Sequence, residues 1–270
     1  MPIDSDNRKA APGALQEAWV FACKQLHAGM FALILLTLIL GTHLWYPFEN
    51  FPRYDFLFVV AVGIQILLLV FKLETPKEAL VIFAFHLVGT VMELFKTSAT
   101  IRSWEYPEQS LFIIGNVPLF TGFMYSAVGS YIARSWRGFD FRFSAYPPLW
   151  LTGILALLIY INFFLHHYID YDFRWLLLGA FILLFFRTRL YYTIAVTRRS
   201  IPIIVGLAFA ATLIWVAENL STFANIWIYP SQRHGWTMVS PQKIIAWLLL
   251  MSISFVLVSV ANRPTGPEPG

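Results

Sequence analysis

Apolar residues in this chain run in blocks rather than in alternation. Eight stretches approach the roughly 20 residues needed to cross a hydrocarbon layer of about 30 Å: 29–46, 55–72, 79–96, 111–132, 148–166, 173–193, 201–220 and 243–261. Their length and continuity predict helices, since outer-membrane strands alternate in polarity over about ten residues. The sixth block is the weakest, because its strictly apolar part is short and Arg187 and Arg189 must snorkel or lie beyond the hydrocarbon. The expected fold class is all-α, a polytopic transmembrane helical bundle of about eight helices.

Ahead of the first block, Leu15, Trp19, Ala22 and Leu26 fall at near-helical spacing opposite Gln16, Glu17 and Lys24. That pattern fits an interfacial helix or a continuation of the first span. The chain divides into an N-terminal segment, 1–28, one transmembrane domain, 29–261, and a tail, 262–270, whose proline and glycine predict disorder. Residues 1–28 lack the apolar core and small-residue cleavage site of a signal peptide, so nothing is expected to be removed.

The polar residues between blocks repeat. Trp104, Tyr106, Pro107 and Gln109 recur 123 positions later as Trp227, Tyr229, Pro230 and Gln232, and the same offset carries Pro118 onto Pro241. Upstream, Glu93 with Thr97 answers to Glu218 with Thr222 after a slip of two residues. A duplicated unit explains this, with halves at about 29–134 and 148–261. Four spans separate the cassettes, which puts both on one side and makes the halves parallel four-helix repeats. Backbone sterics account for much of the motif: Tyr-Pro breaks the helix, Trp anchors the turn at the interface, and Pro118 or Pro241 kinks the next span.

Composition agrees with a membrane protein: 58% of residues are hydrophobic and 13% charged. Assigned to alternate sides, the lysines and arginines divide 13 against 6, with the cassettes on the poorer side. The positive-inside rule then puts both termini in the cytoplasm. The net charge of +4 fits anionic headgroups, and membrane lipids are the expected partners; no nucleic-acid module is visible. Cys23 is the single cysteine, which excludes an intrachain disulfide and a multi-cysteine metal site. Walker, dinucleotide-binding and Gly-x-Ser-x-Gly patterns are absent.

Candidate chemistry gathers at span ends. Glu93 shares a helix face with Thr97 and His86, and Glu218 with Thr222 and Trp215. A buried carboxyl group can serve as general acid or base, and intramembrane acids are functional by default; at the interface the same acids can simply be hydrated or paired with Lys96 or Arg102. Between the cassettes lie Asn162, His166, His167, Asp170 and Asp172. Adjacent histidines on a helix face different ways and no His-x-x-x-His pattern exists, so no metal is expected there. In the fourth span Gly122, Ser126, Gly129 and Ser130 allow close helix packing, and Tyr125 adds a wall suited to an apolar ligand.

The run from Glu93 to Arg134, with Trp104-Glu105-Tyr106-Pro107, Val117-Pro118-Leu119-Phe120 and Phe123-Met124-Tyr125 through Gly129-Ser130-Tyr131, resembles the YoaT-like family of uncharacterised bacterial integral membrane proteins. That resemblance implies a bacterial cytoplasmic (inner) membrane and no particular activity. Glutamate followed by Trp-x-Tyr-Pro and a Pro-Leu that opens the next helix is similar, more distantly, to the repeat of membrane lycopene cyclases and carotenoid hydratases. This similarity implies proton chemistry at the end of an isoprenoid chain. The acids that follow Pro-Leu in the cyclases are replaced here by Phe120, Thr121 and Gly122, and after Pro241 by Gln242 and Lys243.

The leading expectation is an intramembrane enzyme that hydrates, isomerises or cyclises an isoprenoid or other lipid without a cofactor. Glu93 and Glu218 would be acid and base, with His166 and Asn162 orienting water or substrate. Trp104, Tyr106, Trp227, Tyr229, Tyr125 and Asn219 would contact the substrate. A small transporter or channel for protons, cations or a solute, and a structural membrane protein without catalysis, are the competing classes.

Overall fold

The computed structural model describes residues 13–267 and is mostly helical. Two helices, α1 (Ala14–Ala28) and α2 (Met30–Leu44), meet at Gly29 with a bend of 70°. They are followed by α3 (Arg53–Val70), α4 (Pro76–Lys96), a hairpin of β1 (Ile113–Ile114) and β2 (Val117–Pro118), and α5 (Thr121–Gly138). Then come β3 (Arg142–Ser144), α6 (Leu149–Leu165), α7 (Arg174–Phe185), β4 (Arg189–Thr193), β5 (Arg198–Pro202), α8 (Ile203–Phe223) and α9 (Lys243–Asn262).

Among the described residues four helices, α3, α4, α8 and α9, are long and apolar enough to cross a membrane, and the bent pair α1 and α2 would make a fifth. α6 and α7 are apolar but shorter, and α5 carries Ser130, Arg134 and Ser135 in its buried face. The bend leaves Leu15 and Trp19 exposed on α1, which runs across the bundle rather than extending α2.

Strands modify the all-helical expectation. The block at 111–132 opens as the β1–β2 hairpin, where Gly115 takes φ +60° in the turn, and its helix starts only at Thr121. The block at 173–193 stops being helical at Phe185; Leu190 to Thr193, rich in aromatic and β-branched side chains, pair instead with 198–201. β3, β4 and β5 form one antiparallel sheet with Arg142 opposite Tyr191 and Tyr191 opposite Ser200. The two prolines expected to kink spans precede them, Pro118 in β2 and Pro241 just before α9, where a missing N–H costs nothing.

α9 is the centre of the larger core: Leu249, Met251, Ile253, Phe255, Val256 and Val258 are buried against residues of α5, α6, α7 and α8. Its serines bond back to their own helix, Ser252 to the Leu249 carbonyl and Ser259 to that of Phe255. A second core joins α2 and α3 to Phe120 and to the loop residues Ala224, Ile226 and Trp227. Just past α9, within the tail expected to be disordered, the Phe143 amide donates to the Thr265 carbonyl at 2.8 Å; residues 268–270 lie outside the described residues.

Candidate functional site

Glu93 sits in the last turn of α4 and Glu218 in the last turn but one of α8, and each is 2% exposed. Each helix then breaks into its cassette, which folds back over the carboxylate. The Trp104 indole and the Tyr106 hydroxyl donate to Glu93 Oε2 at 2.8 and 2.6 Å, and the Tyr125 hydroxyl of α5 donates to Oε1 at 2.6 Å. The Tyr229 hydroxyl donates to Glu218 Oε1 at 2.5 Å and the Trp247 indole of α9 to Oε2 at 2.7 Å. Each carboxylate is thus held by a phenol from its own cassette and by an aromatic donor from the following helix.

Burial first, then the neighbouring carboxylate, pushes the Tyr106 and Tyr229 phenols well above their usual range. Both remain protonated and act as donors at neutral pH. Tyr125 reaches Glu93 because Gly89 of α4 has no side chain: a Cβ there would lie 2.5 Å from the tyrosine ring. Gly122 and Gly129 of α5 likewise receive His86 and Phe85 of α4, so the small residues of the fourth span serve packing.

The two cassettes touch. Glu105 and Ile228 form an isolated antiparallel bridge, and the rings of Trp104 and Tyr229 meet edge to face at 6.2 Å. Outside, Arg233 makes a two-pronged contact with Glu105 at 3.0 and 2.9 Å. The first turn of α3 ties the loops down. Asp55 accepts from Ser110, Leu111 and Phe112 at 2.6, 2.8 and 3.0 Å, and the Tyr54 hydroxyl donates to the Ile226 carbonyl at 2.9 Å. Arg53 pairs with Glu108 at 2.6 Å and donates to the Ala224 carbonyl at 2.8 Å.

A cavity of about 590 Å³ lies between α2, α4, α5, α6, α8 and α9. Glu93, Glu218, Trp104, Tyr125, Trp227 and Tyr229 all reach it, as do Asn162 and His166. Its walls are otherwise largely aliphatic, with Leu36, Ile39, Leu213 and Ile214 among them. Asn162 Oδ1 is buried and has no hydrogen-bond partner among the described residues.

Three expected residues stand elsewhere. Tyr106 touches Glu93 without lining the cavity. Asn219 is engaged on both sides of its amide, donating to the Trp215 carbonyl at 2.8 Å and accepting from the Val239 amide at 2.9 Å. His86 packs at Gly122 and the Phe123 ring. His166 and His167 do not diverge as on a continuous helix, because α6 ends at Leu165; their rings lie 4.0 Å apart and both converge on Lys96. Among the described residues no three His, Cys, Asp or Glu side chains are grouped to hold a metal.

Sequence reasoning did not find Trp247, Lys243, Arg174 or the Arg53-Tyr54-Asp55 staple, and it took Lys96 only as an ion partner for the span-end acids. A signal existed for Trp247, which stands one residue short of the position that the repeat pairs with Tyr125.

A family model described as "Protein of unknown function (DUF817)" matches residues 17–255. The uncharacterized protein YoaT of Bacillus subtilis (strain 168) is 36% identical over 242 residues, covering 90% of this chain and 88% of that protein. No solved structure matches the chain.

Proposed function

The chain belongs to the DUF817 family, whose description gives no activity, and from the cavity we propose an intramembrane enzyme that moves protons on an isoprenoid or another unsaturated lipid. The observation that carries this reading is the convergence of two buried carboxyl groups, each with its own phenol, on one apolar cavity of about 590 Å³. In hydration, one of Glu93 and Glu218 protonates a carbon–carbon double bond, water adds to the resulting cation, and the other carboxylate takes the proton that water releases. In isomerisation the second carboxylate takes the proton from the neighbouring carbon instead. Tyr125 and Tyr229 relay protons between cavity and carboxyl, and the faces of Trp104, Trp227 and Trp247 stabilise developing positive charge. The Asn162 amide group at the cavity wall orients the water.

The same proposal includes the topology. Eight crossings in two parallel repeats, in a bacterial cytoplasmic membrane with both termini inside, are supported by the asymmetry of basic residues and by the pairing of Glu105 with Ile228, which occupy equivalent cassette positions.

The test is mass spectrometry of lipids that co-purify in a mild detergent with the wild-type protein and with the Glu93→Gln, Glu218→Gln variant. A defined unsaturated lipid enriched on the variant, and its hydrated or isomerised form on the wild type, is the expected result. Bulk phospholipid on both would overturn the reading.

A second reading, a carrier, has one observation in its favour: the cavity runs from Gln25 and Tyr131 at one end to Arg174 and Lys243 at the other. Cation or proton flux in liposomes that is abolished in the Glu93→Gln, Glu218→Gln variant would establish it.

A further inference from the structure

Lys96 ends α4 and is 4% exposed, yet no carboxylate lies within ion-pair distance of it among the described residues. Its ammonium rests on two imidazoles, 2.8 Å from His167 Nε2 and 3.4 Å from His166 Nε2. His166 Nδ1 faces the Asn162 carbonyl at 3.0 Å, which fixes the tautomer and leaves Nε2 to accept from Lys96. Lys243, at the start of α9, lies 4.3 Å over the Tyr229 ring and also lacks a carboxylate within ion-pair distance among the described residues, Glu218 attracting it only from farther off. Arg174, at the start of α7, pairs with the exposed Asp172 at 3.0 Å. All three cations line one end of the cavity, near enough for Lys243 and Arg174 to repel the Lys96 charge and for Asp172 to attract it from beyond ion-pair distance.

Like charges gathered where water is scarce raise the energy of the folded protein unless they share an anion. The cavity's own carboxylates do not serve, because their oxygens are taken by the tyrosine and tryptophan donors. Away from the cations the cavity wall is largely apolar, and two of its residues reach the surface: Leu33 of α2 is 44% exposed and Leu213 of α8 is 48% exposed. Leu33 and Leu213 thus give the cavity an outward-facing apolar stretch where α2 and α8 lie side by side.

Building on the reading of the cavity as a lipid site, we propose that Lys96, Arg174 and Lys243 bind the phosphate head group of an amphiphile whose apolar chain runs along the cavity to the apolar stretch between α2 and α8. A phosphate offers three charged acceptor oxygens to three cationic donors that arrive from three different helices, and the N-termini of α7 and α9 meet there as well. The chain then passes Glu93 and Glu218 on its way from the head group to that stretch.

The probe is radiolabelled dodecyl phosphate, bound to the full-length protein in a non-ionic detergent, with dodecanol and inorganic phosphate as competitors. The expected result is saturable binding that neither competitor displaces at tenfold higher concentration. The Lys96→Gln, Lys243→Gln variant should bind at least tenfold more weakly, and Lys96→Arg, Lys243→Arg should restore binding. Displacement by dodecanol would overturn the head-group site, and displacement by inorganic phosphate would overturn the lipid as its source. Unchanged binding by the glutamine variant would also overturn the site, and the competition arm decides the question with wild-type protein alone should that variant not fold. Turnover plays no part in the assay. If dodecyl phosphate fails while the lipid analysis still shows a converted neutral lipid, the head group is wrong and the proton chemistry stands.

Discussion

Glu105 and Ile228 exchange both backbone hydrogen bonds, at 3.0 and 2.9 Å, and hold the same place in their two cassettes. Each lies between the Trp and the Tyr of its motif, so this single bridge sets where both phenols stand relative to the two carboxylates. Ile228→Pro removes one of the two N–H donors and leaves the Glu105 carbonyl without it. The loss is expected to cost about 1–3 kcal/mol, read as a lowered Tm of the detergent-solubilised protein, while Ile228→Val stays at the wild-type value. A proline variant as stable as wild type would show that the bridge holds nothing together.

Tyr125→Phe and Tyr229→Phe each remove one hydroxyl and keep the ring. If these phenols relay protons, conversion of the bound lipid falls by roughly 10²–10⁴ with expression and lipid binding kept. Conversion at the wild-type rate in both variants would remove the tyrosines from the mechanism.

Arg53 is nearly buried, and it serves Glu108 and the Ala224 carbonyl together. Arg53→Met leaves that carbonyl without its donor and Glu108 without its partner. Because Glu108 is partly solvated, roughly 2–3 kcal/mol of lost stability is expected. Arg233→Met, at an exposed pair, should cost less than about 1 kcal/mol. Equal Tm losses for the two variants would contradict the staple.

His167 lies in the turn after α6, where burial first, and then the Lys96 charge, lower its pKa from 6.5 to about 4. Folding favours the neutral ring, so its contribution to stability is complete above pH 6.5 and is lost as the pH falls toward 4. A fall in Tm across that window should flatten in His167→Gln. Identical profiles would show that another group carries the acid sensitivity.

Cys23 is exposed on α1, and Thr100 is exposed beside the first cassette. In intact cells a membrane-impermeant maleimide should spare Cys23 and label Thr100→Cys in a Cys23→Ser background. The reverse labelling would invert the proposed orientation.

Much of this arrangement was legible in the amino-acid order, for a physical reason. Helices such as α8 and α9 declare themselves by local hydropathy, and Glu93 with Trp104 and Tyr106 lies close enough in sequence for a repeat to betray a shared turn. The mates Tyr125 and Trp247 come from the next helix, and only packing brings them in. Lys96, Lys243 and Arg174 are each ordinary at a span end; their meaning arises from convergence in space. The three-stranded sheet was hidden because Leu190 to Thr193 reads equally well as the end of an apolar helix, and its pairing with 198–201 is decided by a tight turn that hydropathy does not register.

The Glu105–Ile228 bridge pins the loops at one end of the bundle, and the sheet of β3, β4 and β5 pins those at the other, with Lys24 of α1 fastened to the Thr193 and Ile194 carbonyls. A frame laced at top and bottom resists the rocking of one half against the other that alternating access demands. If the amphiphile enters where α2 and α8 lie side by side, traffic into this protein is exchange with the lipid leaflet rather than passage from one aqueous compartment to the other.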